Sequence, residues 1–160
     1  MVTGMQANES LNLAIRCIEA LRKVFGGNRN ILDGFRSRAR DGPSSIYYSG
    51  LTYTIAYIAS KASKERISGD ELMKQALTEP DVGALFEKWK NENIAEKEAY
   101  ELYGACLMRA IREVAKLDNA NDLLTLLKVL NDPGRQILTT NKVLEFAEWL
   151  KRLAEASIPG

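Results

Sequence analysis

Histidine is absent from the 160-residue chain. Its absence removes the usual general acid–base side chain near neutral pH, the Ser-His and Cys-His nucleophile pairs, and most transition-metal sites. Cysteine occurs twice, at Cys17 and Cys106, without a CxxC partner. Each falls within or beside an apolar helical pattern and reads as a small buried hydrophobe. Proline is scarce, and no apolar run approaches the roughly 20 residues that span a bilayer. The opening residues, MVTGMQANES, lack the basic start and apolar stretch of a secretory signal, so a cytoplasmic location with no membrane partner is expected. The motifs GxxxxGK[ST], GxGxxG and GxSxG are missing as well. The expectation is a protein with no catalytic residue, no metal site and no cofactor.

What the chain does have is helical periodicity from end to end, with Leu, Ala, Glu, Lys and Arg dominating. A first helix is expected from Asn8, its cap, to Phe25, with Leu11, Ala14, Ile15, Ile18, Leu21 and Phe25 on one face. Gly26-Gly27 ends it. A second runs from Asn28 to Arg40 over Ile31, Leu32, Phe35 and Ala39, and Gly42-Pro43 is expected to break the chain. A third, from Ser44 to Ser63, carries Tyr47, Leu51, Thr54, Ile55, Ile58 and Ala62 on its stripe. Gly50 lies inside that pattern, a position explained by close approach of another helix. Ser68-Gly69-Asp70-Glu71 is a capping box that opens a short helix to Thr78. Another short helix follows Pro80 over Val82, Leu85, Phe86 and Trp89. The longest is expected from Ile94 to Leu117, with a seam of Tyr100, Tyr103, Leu107, Ala110, Val114 and Leu117 suited to a bundle or a subunit contact. Helices over Asn119–Leu130 and Thr140–Ala156 flank a turn at Asp132-Pro133-Gly134, and Val143, Phe146, Ala147, Leu150 and Ala154 face inward. The fold class is all-α, a compact bundle of about six to eight helices forming one domain over 1–160, with 1–7 and 157–160 flexible.

Net charge is only +1, yet Arg16 to Arg40 holds seven basic residues against Glu19 and Asp33. A polyanion responds to such local charge rather than to the total. Arg29, Arg36 and Arg40 share one face of the second helix, with Arg38 on the other side of its stripe; Arg16 and Lys23 point away from the first helix's core face. Arg109, Arg112 and Lys116 form a second stripe, which also suits the C-terminal end of a helix dipole. Tyr47, Tyr48, Tyr53 and Tyr57 crowd one helix and favour core or subunit contact over base stacking. Glu92 and Glu96, four apart, are a carboxylate pair of the kind that can hold a metal, but lysines interleave with the acids there as on a solvated surface.

The stretch from Phe35 to Tyr57 resembles the small, all-helical subunit of type III-B (Cmr) CRISPR effector complexes. The matching positions are Phe35, Ala39, Pro43, Ile46, Gly50-Leu51 and Thr54-Ile55-Ala56-Tyr57, and the closing segment LEFAEWLKRLAEA, Leu144 to Ala156, resembles the same family's last helix. Gly42 stands where that family more often has an aliphatic residue. The resemblance implies a non-catalytic, RNA-binding subunit in antiviral defence. Copies stack into a minor filament beside other Cmr subunits and line the groove where guide and target RNA pair. It also implies that Lys151 and Arg152 face RNA. The expected RNA-contacting set is therefore Arg16, Lys23, Arg29, Arg36, Arg38, Arg40, Arg109, Arg112, Lys116, Lys151 and Arg152. Two other readings stay open: a helical protein–protein adaptor using the Tyr100–Leu117 seam, and an enzyme using Glu92 and Glu96.

Overall fold

A computed structural model describes residues 8–117 and 119–160; the segment 1–7, expected to be flexible, lies outside the described residues. These residues form eight helices and no strand: α1 (Glu9–Phe25), α2 (Arg29–Ser49), α3 (Leu51–Ala62), α4 (Gly69–Thr78), α5 (Val82–Asn91), α6 (Tyr100–Glu113), α7 (Leu123–Leu130) and α8 (Pro133–Ser157). Side-chain caps open most of them. Asn8 accepts from the Leu11 amide, Asn28 from Ile31, Ser68 from Glu71, Asp81 from Ala84 and Asp122 from Thr125. Each satisfies one of the amides that a helix start leaves without an intrahelical partner.

Helix α6 is the centre of the bundle. Every residue from Glu101 to Ile111 is buried, and α6 packs against α3 and α4 on one side and against α1, α2, α5 and α8 on others. From Tyr103 through Leu107, Ala110, Val114 and Leu117 the seam is thus consumed inside this chain, and only Tyr100 at its start is half-buried. Helix α8 lies along both α1 and α2, burying Val143, Phe146, Ala147, Leu150 and Ala154 as expected. In α1 the buried face centres on Leu13, Cys17 and Leu21, which leaves Ile15 exposed.

Several boundaries differ from expectation, each for a local reason. Gly42-Pro43 does not break the chain; Pro43 sits inside α2. A proline ring crowds the Cβ of the preceding residue and disfavours helix there, and Gly42 has no Cβ to crowd. Gly42 also lies against α6, where an added Cβ would overlap the Tyr103 hydroxyl. The break falls at Gly50 instead, which caps α2 at φ 89° and ψ 154°. Nothing stands within 4 Å of where its Cβ would be, so Gly50 serves backbone geometry and not helix approach. The break re-phases Tyr47 out of the stripe, to 72% exposure, while Leu51, Thr54, Ile55, Ile58 and Ala62 stay buried. Left-handed Asn93 and Ala99 interrupt the stretch expected as one helix from Ile94, so α6 begins at Tyr100. Asp132-Pro133-Gly134 opens α8 directly, with Pro133 in the first turn, where its missing amide costs nothing. At the other end Ile158 is buried and the Pro159 carbonyl accepts from Arg29, so the segment expected to be a free tail is docked.

Charge is buried at the start of α6. The Glu101 carboxylate is 1% exposed and meets the Lys64 ammonium at 2.6 Å; Lys64 also reaches Glu96 at 3.2 Å. Desolvation is the largest influence on Glu101 and raises its pKa above the ordinary 4.5, against the lowering pull of Lys64. A raised acid binds more protons in the native than in the unfolded state. Its contribution to stability is therefore full below the ordinary carboxylate pKa and is lost as pH rises through the raised value.

Two measurements bear on the Gly50 turn and the buried acid. Gly50→Ala is expected to destabilise the protein by about 1–3 kcal/mol in denaturant unfolding, because that φ,ψ region is nearly closed to residues with a side chain. Melting curves compared from about pH 4 to pH 7 should show the wild type losing stability relative to Glu101→Gln as pH rises; a difference that does not vary with pH would contradict the linkage.

Candidate nucleic-acid interface

The basic residues fall into three environments. Arg109 is buried, at 5% exposure. Its guanidinium donates to the carbonyls of Ala76, Glu79 and Pro80 and pairs with Glu113 at 2.7 Å. It closes the C-terminal end of α4 and the turn into α5, where carbonyls lack helical partners. Arg112 donates to the Leu77 carbonyl of the same helix end. Arg109 is therefore withdrawn from the expected RNA-contacting set. A planar fork with five donors suits a cluster of backbone carbonyls, and no face of it is left for a phosphate. Sequence spacing placed Arg109 correctly on α6 but could not show that α4 ends against it.

A second group lines a groove of about 450 Å³ between α1 and α6. Arg16, Arg112 and Lys116 converge there from distant parts of the sequence. Two acids share the groove: Arg16 meets Glu113 at 2.9 Å and Lys116 meets Glu9 at 2.8 Å. The ammonium of Lys116 holds the exposed Glu9 carboxyl below its usual range.

The third group is α2. Arg29, Arg36 and Arg40, seven and four residues apart, share one face of it. Arg29 pairs with Asp33 at 3.1 Å and Arg40 with Asp41 at 3.3 Å, all about half exposed or more. Arg36 is half-buried beside Gly160, with its Nε enclosed and without a hydrogen-bond partner. The face is more compensated than the sequence implies, since Asp41 joins Asp33. Such exposed pairs contribute little and are screened by salt, so a phosphate can exchange for the carboxylate. Arg38 points elsewhere and lies 4.4 Å from the centre of the Tyr100 ring. On α8, Arg152 is exposed and pairs with Glu155 at 3.2 Å. Lys23 is exposed and Lys151 half-exposed, and among the described residues neither has a carboxylate within ion-pair reach.

Glu92 and Glu96 do not share a helix. Glu92 caps α5, and Glu96 lies in the following connection against Lys64. Among the described residues no group of three acidic or sulfur ligands is placed to hold a metal. The tyrosines show a surface feature that helical phase had concealed. Tyr47, Tyr48, Tyr53 and Tyr57 are 41–82% exposed; Tyr47 and Tyr48 meet edge-to-face at 4.9 Å, and Tyr53 stacks on Tyr57 at 6.4 Å. The signal available in the sequence was the glycine at position 50, whose positive φ turns these rings outward.

The division of the arginines predicts opposite responses. Arg109→Met should lower stability by about 3–5 kcal/mol in denaturant unfolding, since it leaves three carbonyls without their donor and Glu113 with Arg16 alone. Lys23→Met should stay within about 0.5 kcal/mol. An Arg109→Met protein of unchanged stability would return that residue to the surface set.

The sequence model of a family described as CRISPR-associated protein (Cas_Cmr5) matches residues 6–157, nearly the whole chain. No curated protein and no solved structure matches it.

Proposed function

This chain belongs to the Cmr5 family of CRISPR-associated proteins and so to the subunits of Cmr complexes, and from that premise we propose that it is a non-catalytic subunit that holds RNA by its backbone. Copies of it lie side by side as a minor filament along the groove where guide and target RNA pair, within a cytoplasmic antiviral effector. Base pairing reads the sequence, and this subunit contributes positive charge. The observation that carries the reading is the row of Arg29, Arg36 and Arg40 along one uninterrupted helix, joined by cations of α1 and α8 that lack a carboxylate partner among the described residues. Each phosphate neutralised releases counterions, and repetition along a filament multiplies interactions that are weak singly.

Association with neighbouring subunits has its own support. The α7–α8 hairpin exposes Leu124, Ile137 and Leu138, each 63–68% accessible, whereas the α6 seam is used internally. Large apolar side chains exposed together mark interaction surfaces.

The test is RNA binding by the assembled complex as a function of salt. Replacing Arg36 and Arg40 together by Ala should weaken binding and reduce the log–log salt slope by about 0.7 for each phosphate that is no longer neutralised. Unchanged affinity and slope would remove RNA from this face. A role through protein association alone predicts that outcome together with failure of assembly on Ile137→Asp.

A further inference from the structure

A cleft of about 160 Å³ opens where α2, α3 and α6 meet. Tyr57 stands at its rim, Tyr100 and Arg38 line it half-buried, Asp41 is exposed beside them, and Tyr103 is buried at its base. Two polar atoms here have no partner. The Tyr103 hydroxyl is fully enclosed without a hydrogen bond, and so is Arg38 Nε. The neighbouring hydroxyls of Ser45 and Thr54 satisfy each other at 2.9 Å, so they do not relieve either. Buried polar atoms are nearly always paired, and an exception calls for something that completes it.

The dimensions and chemistry narrow what that is. A cavity of about 150 Å³ holds one benzene-sized ring, and this cleft matches a single six-membered ring in volume. Tyr57 and Tyr100 meet edge-to-face and form an aromatic corner, and the Arg38 guanidinium covers a face of Tyr100, so a flat π-system suits the cleft. Arg38 Nε offers an N–H to a ring carbonyl, the Tyr103 hydroxyl can donate or accept, and the Asp41 carboxylate accepts from an N–H at the ring edge. Outside the rim, Tyr53 continues the surface by stacking on Tyr57, their planes 19° apart. Aromatic platforms of this kind carry successive bases of a single strand.

We propose that the cleft binds one pyrimidine base of a single-stranded RNA, with the ring packed against the corner that Tyr57 and Tyr100 form by meeting edge-to-face at 6.2 Å and with Arg38, Asp41 and Tyr103 meeting its polar edge. This deepens the RNA-contacting role and rests on it. It also gives the subunit a base preference where its cationic faces have none.

The experiment compares oligouridylate with oligoadenylate of equal length by titration against the full chain at low salt, with uridine monophosphate as a free-nucleotide arm followed by NMR on the tyrosine rings. Oligouridylate is expected to bind about tenfold more tightly, in keeping with one additional seated base. Tyr103→Phe, which removes no existing hydrogen bond, should abolish most of that preference and leave oligoadenylate binding unchanged, whereas Tyr57→Ala should abolish the preference and weaken both strands. Equal binding of both strands by the wild type, or a preference that survives both substitutions, overturns the proposal while leaving phosphate binding intact. If neither strand binds the isolated chain, the monophosphate decides: shifts of Tyr57 and Tyr103 that saturate with uridine but not adenosine monophosphate support the cleft, and their absence overturns it.

Discussion

The fold depends on how the central helix disposes of its charges. Helix α6 is buried around its circumference, yet it carries Glu101 near its start and Arg109 near its end. Each would be prohibitive alone in a low-dielectric interior. Glu101 is held by Lys64 from the connection after α3, and Arg109 gathers the last carbonyls of α4. The two clamps fix α6 against α3 and α4, and the remaining helices pack around that unit. A buried arginine that serves backbone carbonyls and one that serves phosphate use the same donors, so only the surroundings separate the structural role from the functional one.

That separation organises the surface. With Arg109 enclosed and Arg112 tied to Leu77, the expected stripe contributes to the exterior chiefly through Lys116, which lies past the end of α6 beside Arg16 in the groove. The α2 row remains, and the glycine that follows it decides what lies beyond. Gly42 lets the helix pass through Pro43, which keeps α2 in register to Ser49. The turn is moved to Gly50, and the tyrosines on both sides of it face outward. A cationic face and an aromatic ledge thereby flank one helix, with Arg38 between them over Tyr100.

Much of the architecture was legible in the chain. The caps Asn8 and Ser68 and the apolar stripes of α2, α5 and α8 depend on interactions within a few residues, and these stand where the pattern put them. The errors share a cause. Pro43 was read by its usual effect because its tolerance depends on the missing Cβ next door and on Tyr103 across the interface. The seam on α6 left bundle and subunit contact both open, because periodicity records that one side is apolar without recording that the other side is buried too. Tyr47 was assigned to the core because helical phase was carried through a residue that resets it.

Local chemistry in the sequence determined that the chain is all helical, where most helices start, that histidine-based chemistry is absent, and which family its motifs resemble. Tertiary structure decided which cations are available, which glycine bends the backbone, and that three helices enclose a cleft with an unpartnered hydroxyl. The reason is range: capping and periodicity act over one or two turns, whereas the fate of a charge is set by whichever carbonyl or carboxylate the fold brings beside it.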